Sequence, residues 1–166
     1  DGLMGSHGPI STGMCYANKI PTLCFTGEGA VEEDYFLTSI GWASTKKLPI
    51  IFVVEDNNLS ILTEKKVRRN WEIHDVAKAI KMKAFDIDDE PQDILSCLDF
   101  EKGIFTEPML LNIRTNRMFW HSGAGIDNPE IFDRHNVFGE YFSLNYRERI
   151  QNNCNNIVSE AWKKYL

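Results

Sequence analysis

Apolar residues fall in short runs separated by stretches where they recur at helical spacing. Pro21–Thr26 (PTLCFT) is a compact apolar run that stops at a glycine, which predicts a short strand. Gly29 to about Thr45 (GAVEEDYFLTSIGWAST) follows as a predicted helix. Pro49–Glu55 (PIIFVVE) is β-branched, aromatic and nearly continuous in apolar character, the pattern of a strand buried on both faces. Beyond a loop, Ile73–Lys81 predicts a helix and Ala84–Ile87 a short strand ahead of the acidic turn Asp88-Asp89-Glu90-Pro91. Gln92 to about Phe100 reads as helix and Pro108–Arg114 (PMLLNIR) as another buried strand. From Glu140 to Leu166 the apolar markers Ile150, Ile157, Val158 and Trp162 predict a terminal helix.

Strand and helix alternating at these lengths mean an α/β fold: a three-layer α/β/α arrangement with a mainly parallel sheet and right-handed crossovers. The chain has 166 residues, 43% hydrophobic and 25% charged, which suits one domain with a real core. We expect a single domain over 1–166 with a helical segment at about 140–166. The chain begins at Asp1 without a methionine or signal-peptide pattern, and it reads as a piece of a longer polypeptide. Neither repeats nor low-complexity segments are visible.

The net charge of −6 disfavours a nucleic-acid partner, which would need phosphate-neutralising cations. No apolar run approaches the roughly 20 residues of a membrane span, so no membrane partner is expected. Cys15, Cys24, Cys97 and Cys154 match no common zinc spacing and read as reduced thiols, mostly core filler. They suit a cytoplasmic protein, or the mitochondrial matrix if the source is eukaryotic. One charge run, Glu64-Lys65-Lys66-Val67-Arg68-Arg69, reads first as a solvated loop and second as a loop near an anionic ligand.

In open parallel sheets ligands bind beyond the carboxyl ends of the strands. One such end carries Gly27-Glu28-Gly29-Ala30. Glycines admit close backbone approach, and the following helix offers unpaired N–H groups and a positive dipole end, which favour phosphate. A carboxylate beside phosphate is repulsive unless a divalent cation lies between them, and magnesium commonly bridges the two. The next strand end carries Glu55-Asp56-Asn57-Asn58-Leu59-Ser60, where an asparagine carbonyl is a hard oxygen ligand. Asn57 lies 29 positions after Glu28, an interval that holds one helix and one strand, so both emerge at one sheet edge. Each signal alone is a common turn; the pair at this interval is the informative feature.

GEGAVEED followed by LPIIFVVEDNNLSI resembles the diphosphate-binding motif of thiamine-diphosphate enzymes. More closely, Gly2 to about Asp127 resembles the alpha subunit of the decarboxylating component of 2-oxo acid dehydrogenases. The resemblance implies the thiamine-diphosphate-binding fold, with thiamine diphosphate and Mg2+ as cofactors. Glu28 and the Asn57 side-chain oxygen would be metal ligands, and Leu59 would give its backbone carbonyl. Gly27, Gly29 and Ala30 would line the diphosphate, the last two through their N–H groups. Gly2-Leu3-Met4-Gly5 matches the stretch whose first and third residues, here Gly2 and Met4, receive the aminopyrimidine ring. Pro9 and Gly13 match the start of the next helix. Thr115-Asn116-Arg117-Met118-Phe119-Trp120-His121-Ser122 resembles the family's T-x-R-x-x-x-H-S, in which Arg117 and His121 approach the diphosphate. The Arg117 fork suits phosphate oxygens, and His121 would donate to phosphate or manage a proton near the reacting carbon, the one catalytic role assigned in this chain. Ser122 matches a position phosphorylated in some members. His7 has no counterpart and reads as a surface histidine.

The implied reaction is decarboxylation of a 2-oxo acid with transfer of the acyl unit to an acceptor, often a lipoyl group. The glutamate that faces the aminopyrimidine comes from a partner in this family. Glu32 and Glu33 do not replace it, because they fall in the first turn of the predicted helix and complement its dipole. The expected partner is a beta-type pyrimidine-binding subunit or domain, in a heterotetramer or a fused homodimer, with a lipoyl acyltransferase beyond it. Trp42, Phe119 and Trp120 are candidates for such surfaces, or for the core. Departures exist: Glu55 stands where the branched-chain type has an arginine, and the family's N-terminal segment has no counterpart here. Two other readings stay open, a transketolase-like half acting on sugar phosphates and a non-catalytic scaffold that keeps the fold.

Overall fold

The structure is a computed structural model and describes residues 2–98, 106–119, 121 and 132–165. The chain divides into two compact units, residues 1–130 and 131–166. The first is built on a four-stranded parallel sheet of β1 (Thr22–Gly27), β2 (Ile50–Asp56), β5 (Lys83–Asp88) and β6 (Met109–Arg114), in the order β1-β2-β6-β5. A two-stranded antiparallel ribbon, β3 (Leu59–Ser60) and β4 (Thr63–Glu64), follows β2.

Alternation along β2 sorts the core into two layers. Ile50, Phe52 and Val54 face a cluster with Cys15 of α1 (His7–Asn18), Phe36, Ile40 and Ala43 of α2 (Asp34–Lys46), and Ile73 and Ala77 of α4 (Ile73–Ala79). Ile51 and Val53 face the other way, with Leu111 and Ile113 of β6, Phe85 and Ile87 of β5, and Cys97 of α5 (Pro91–Cys97). Helices therefore cover both faces, the three-layer arrangement expected from the alternating pattern. Leu23 and Phe25 of the edge strand β1 remain exposed. Cys15, Cys24 and Cys97 are buried and Cys154 is exposed, all four as free thiols. Burial pushes the Cys24 thiol up, against a smaller opposing effect of Ser11.

The predicted strands all form. The helix expected over Gly29–Thr45 is instead a 3-10 turn, Ala30–Glu32, followed by α2 from Asp34, with Glu33 extended between them. α5 ends at Cys97, and the end of the helix expected to Phe100 lies outside the described residues. The charge run is not a solvated loop. It forms the short helix α3 (Lys65–Arg68), and Lys65, Arg68 and Arg69 turn inward onto carboxylates. His7 is half-buried rather than a surface residue: its ring lies 6.0 Å from that of Phe36, and its Nε2 is enclosed.

The second unit holds α6 (Arg134–Gly139) and α7 (Leu144–Tyr165). The Asp133 side chain caps α6 by accepting from the N–H groups of His135 at 3.0 Å and Asn136 at 3.4 Å. α7 begins four residues later than the sequence pattern suggested, and none of its described residues is buried. No helix among the described residues is long and apolar enough to cross a membrane.

Candidate functional site

The parallel register carries three chain segments to one edge of the sheet. Gly27 pairs with Glu55, Glu55 with Ile113, and Asp56 with Arg114, so the loops after β1, β2 and β6 all leave together. These loops bear Glu28, Asn57 and Arg117. The Thr115 N–H donates to the Asp56 carbonyl at 2.9 Å, which fixes the start of the third loop beside the second.

The first loop is packed from two sides. A Cβ on Gly29 would come within 2.8 Å of Ser60 Oγ and 3.5 Å of Arg68, so the loop lies against the β3–β4 ribbon. A Cβ on Gly27 would meet nothing within 4 Å, which leaves open space over that backbone. From the other side comes the Gly2–Gly5 segment. Gly5 has φ +75°, and a Cβ there would lie 2.9 Å from the Ala30 carbonyl and 3.2 Å from Glu33. The Tyr35 hydroxyl donates to the Met4 carbonyl, tying the same segment to α2. That hydroxyl is raised above its ordinary value, by desolvation first and then by the neighbouring Glu33 and Asp34. Met4 and Gly2 are both exposed. The structure thus brings the Gly2–Gly5, Gly27–Ala30 and Asn57–Ser60 segments together.

Glu28 is 3% exposed, and its carboxylate accepts from Arg68. Arg68 also donates to Glu32, which accepts from Arg69 NH1 at 2.8 Å as well. Arg69 NH1 reaches the Glu28 carbonyl at 2.6 Å, and its guanidinium lies 4.8 Å from the centre of the Trp71 ring. Nε and NH2 of Arg69 and Nε of Arg68 are buried without a hydrogen-bond partner among the described residues. Glu32 lies in the first turn of the 3-10 helix rather than of α2, and it is also the hub of this knot. Sequence reasoning missed both arginines because their partners lie about forty positions away in the chain.

The second loop is set by its own side chains. Asp56 Oδ1 accepts from the Asn58 N–H and Asn57 Oδ1 from the Leu59 N–H, each at 3.0 Å. These are turns of the kind Asp and Asn make, and Asn58 tolerates the φ of +65° they impose. Ile61, at the tip of the ribbon, also has positive φ, +52°, a strained state for a β-branched residue. Asp56 Oδ2 receives Lys65 Nζ at 2.7 Å and Asn112 Nδ2 at 3.3 Å. Burial pushes the Asp56 carboxyl up, but the Lys65 and backbone hydrogen bonds outweigh it and hold it below its ordinary value.

Arg117 is half-buried and His121 exposed, both on the stretch that follows β6. Trp120 and Ser122 lie outside the described residues. Phe119 is 68% exposed and Trp42 is exposed beside Tyr16, their ring centres 4.7 Å apart, so neither belongs to the core. Glu55 is exposed.

Glu28 offers a buried carboxylate and Asn57 an amide oxygen, donors of the kind a hard divalent cation takes. Among the described residues no three His, Cys, Asp or Glu side chains gather into a metal cluster. A cation here would rest on few protein ligands and complete its shell from phosphate and water, which is how magnesium is usually held. The buried Glu28 carboxylate already has a cationic partner in Arg68.

Residues 2–137 match the family described as "Dehydrogenase E1 component". Among curated proteins, the chain is similar to the pyruvate dehydrogenase E1 component subunit alpha of Rickettsia bellii (strain RML369-C), 25% identical over 134 residues. The protein of the same name from Porphyra purpurea is 32% identical over 138 residues. The matches take in 73% and 72% of this chain, and the chain spans about 40% of the length of these relatives. Among solved structures, transketolase from Campylobacter jejuni subsp. jejuni NCTC 11168 superposes with a TM-score of 0.54 at 20% identity. It covers 69% of this chain and 19% of its own. The thiamine diphosphate-dependent 4-hydroxybenzoylformate decarboxylase of Rhodococcus jostii RHA1 gives a TM-score of 0.55 at 15% identity, over 68% of this chain and 23% of its own. These likenesses establish the three-layer fold that the strand and helix pattern predicted, and it is the thiamine-diphosphate-binding fold that the family resemblance implied.

Proposed function

Because the chain belongs to the dehydrogenase E1 component family, we propose that it is the diphosphate-binding half of a thiamine-diphosphate-dependent 2-oxo acid decarboxylating dehydrogenase. A beta-type pyrimidine-binding chain or domain completes it, in a heterotetramer or a fused homodimer. The observation that carries this reading is the meeting of three segments, Gly2–Gly5, Gly27–Ala30 and Asn57–Ser60, the last two of which leave one sheet edge.

Each segment has a task. The open space over Gly27 and the N–H groups of Gly29 and Ala30 receive the diphosphate. Glu28, Asn57 and the Leu59 carbonyl would hold Mg2+. Gly2 and Met4 meet the aminopyrimidine through their backbones, with Met4 positioned by Tyr35. Arg117 supplies a guanidinium fork to phosphate oxygens, and His121 donates to phosphate or holds a proton near the reacting carbon. The chemistry that thiamine diphosphate supplies when bound is a carbon nucleophile and an electron sink for loss of carbon dioxide from a 2-oxo acid. This chain orients and charge-balances that group; the partner brings the glutamate that faces the aminopyrimidine. A lipoyl acyltransferase takes the acyl unit, and the free thiols suit the cytoplasm or a mitochondrial matrix.

A transketolase-like half acting on sugar phosphates is the second reading, and the fold alone accommodates it. The test is release of labelled carbon dioxide from a set of 1-labelled 2-oxo acids, with the co-purified partner and an artificial electron acceptor. Turnover of one 2-oxo acid that His121→Ala and omission of the partner both suppress supports the proposal. Ketol transfer between sugar phosphates without decarboxylation overturns it in favour of the second reading.

A further inference from the structure

Arg68 is bonded to the buried carboxylate of Glu28. Its guanidinium bonds the Glu28 carboxylate through one nitrogen and Glu32 through the other. It also lies against the diphosphate loop, 3.5 Å from the position of a Cβ on Gly29. The Glu28 side chain is 4% exposed and that of Arg68 is 15% exposed, so water screens this pair poorly. Together with Arg69 on Glu32, the two glutamates and two arginines form a neutral set. A divalent ion added on Glu28 while Arg68 remains there places two cations on one carboxylate, and their repulsion in a dry site is large.

We propose that Arg68 is an internal counter-ion that competes with the divalent cation for Glu28. The cation binds by exchange. Arg68 gives up its bond to Glu28 and keeps its bond to Glu32, which already holds the other end of the fork. The exchange needs no rearrangement of Arg69, whose NH1 is anchored on the Glu28 carbonyl at 2.6 Å rather than on the carboxylate. The cost of displacing Arg68 lowers the apparent cation affinity, just as any binding-competent state that is only partly populated does. In the absence of metal the same pair keeps the buried carboxylate neutralised and the loop in shape. The inference rests on the reading that Glu28 and Asn57 hold the cation.

The test is a Mn2+ titration followed by electron paramagnetic resonance, on the full protein co-purified with its partner and saturated with thiamine diphosphate. Arg68→Gln removes the competitor and is expected to lower the Mn2+ dissociation constant by about tenfold. Glu32→Gln removes Arg68's alternative partner, strengthens its hold on Glu28, and is expected to raise that constant. Loss of fold cannot mimic effects of opposite sign, and a thermal melt of each variant is recorded alongside. Equal affinity of the wild type and Arg68→Gln, with binding abolished in Glu28→Gln, overturns the exchange but leaves the metal site standing. Weaker binding in a folded Arg68→Gln also overturns it. Mn2+ binding that ignores Glu28→Gln removes the metal-site reading itself, and the exchange with it.

Discussion

Lys65 Nζ lies 2.7 Å from Asp56 Oδ2, and this ion pair anchors the residue immediately before Asn57. Glu72 Oε2 takes the same ammonium at 2.9 Å, so the loop after β2 is pinned to the start of α3 and the approach to α4. Asp56 titrates below its ordinary 3.8 and Lys65 above its ordinary 10.5. In each case burial favours the neutral form and the partner's hydrogen bond overrides it.

The pair sets two edges to the pH profile of stability. The Asp56 contribution is complete above its unfolded value and is lost as pH falls through the lower folded one, so the acid edge lies below 3.8. The Lys65 contribution is complete below 10.5 and is lost as pH rises through the higher folded value. Lys65→Met leaves a buried carboxylate unpaired and is expected to cost about 3 kcal/mol at neutral pH. Urea unfolding across the pH range measures both; an unchanged profile in the variant contradicts the assignment.

Gly5→Ala should damage the meeting of the Gly2–Gly5 and Gly27–Ala30 segments. The new Cβ falls 2.9 Å from a backbone carbonyl that cannot swing away, at a φ of +75°. The expected destabilisation is about 1–3 kcal/mol, read from urea melts. Retention of wild-type stability would show that the segment is not held against the loop.

Core and edge should separate cleanly. Phe36 is fully buried, with its ring 5.8 Å from that of Phe52 and edge-on to it. Phe36→Ala is expected to cost about 3–5 kcal/mol. Phe25→Ala, on the uncovered part of β1, should stay within about 0.5 kcal/mol. Equal losses in chemical denaturation would mean that Phe25 is covered in solution.

The central strands were legible because their chemistry is local: β2 and β6 are buried on both faces and read as continuous apolar runs. Topology then placed Glu28 and Asn57 at one edge without help from either motif. α1 was not legible in this way. Its HGPISTGMCYAN has weak amphipathicity, and only the family resemblance marked a helix there. The break at Glu33 was invisible because the Glu32 side chain that precedes it is held by Arg68 and Arg69, far along the chain. The same long-range pairing hid the role of the charge run. The β3–β4 ribbon is too short to leave a pattern.

α7 offers a further check. Its 22 residues carry an apolar stripe of Ile150, Cys154, Ile157 and Val158, yet none of its described residues is buried. For the isolated chain we expect its amides to exchange with solvent far faster than those of β2. Protection equal to that of β2 would reveal a partner for the stripe.

The central claim is a thiamine diphosphate site built at the sheet edge around Glu28 and Asn57 and completed by a partner. Calorimetric titration of thiamine diphosphate with Mg2+ tests it most directly, using the chain alone, the chain with its co-purified partner, and Glu28→Ala with that partner. The account predicts magnesium-dependent binding that needs the partner and disappears in the variant. Absence of binding in every case, or binding indifferent to Glu28→Ala, would contradict it.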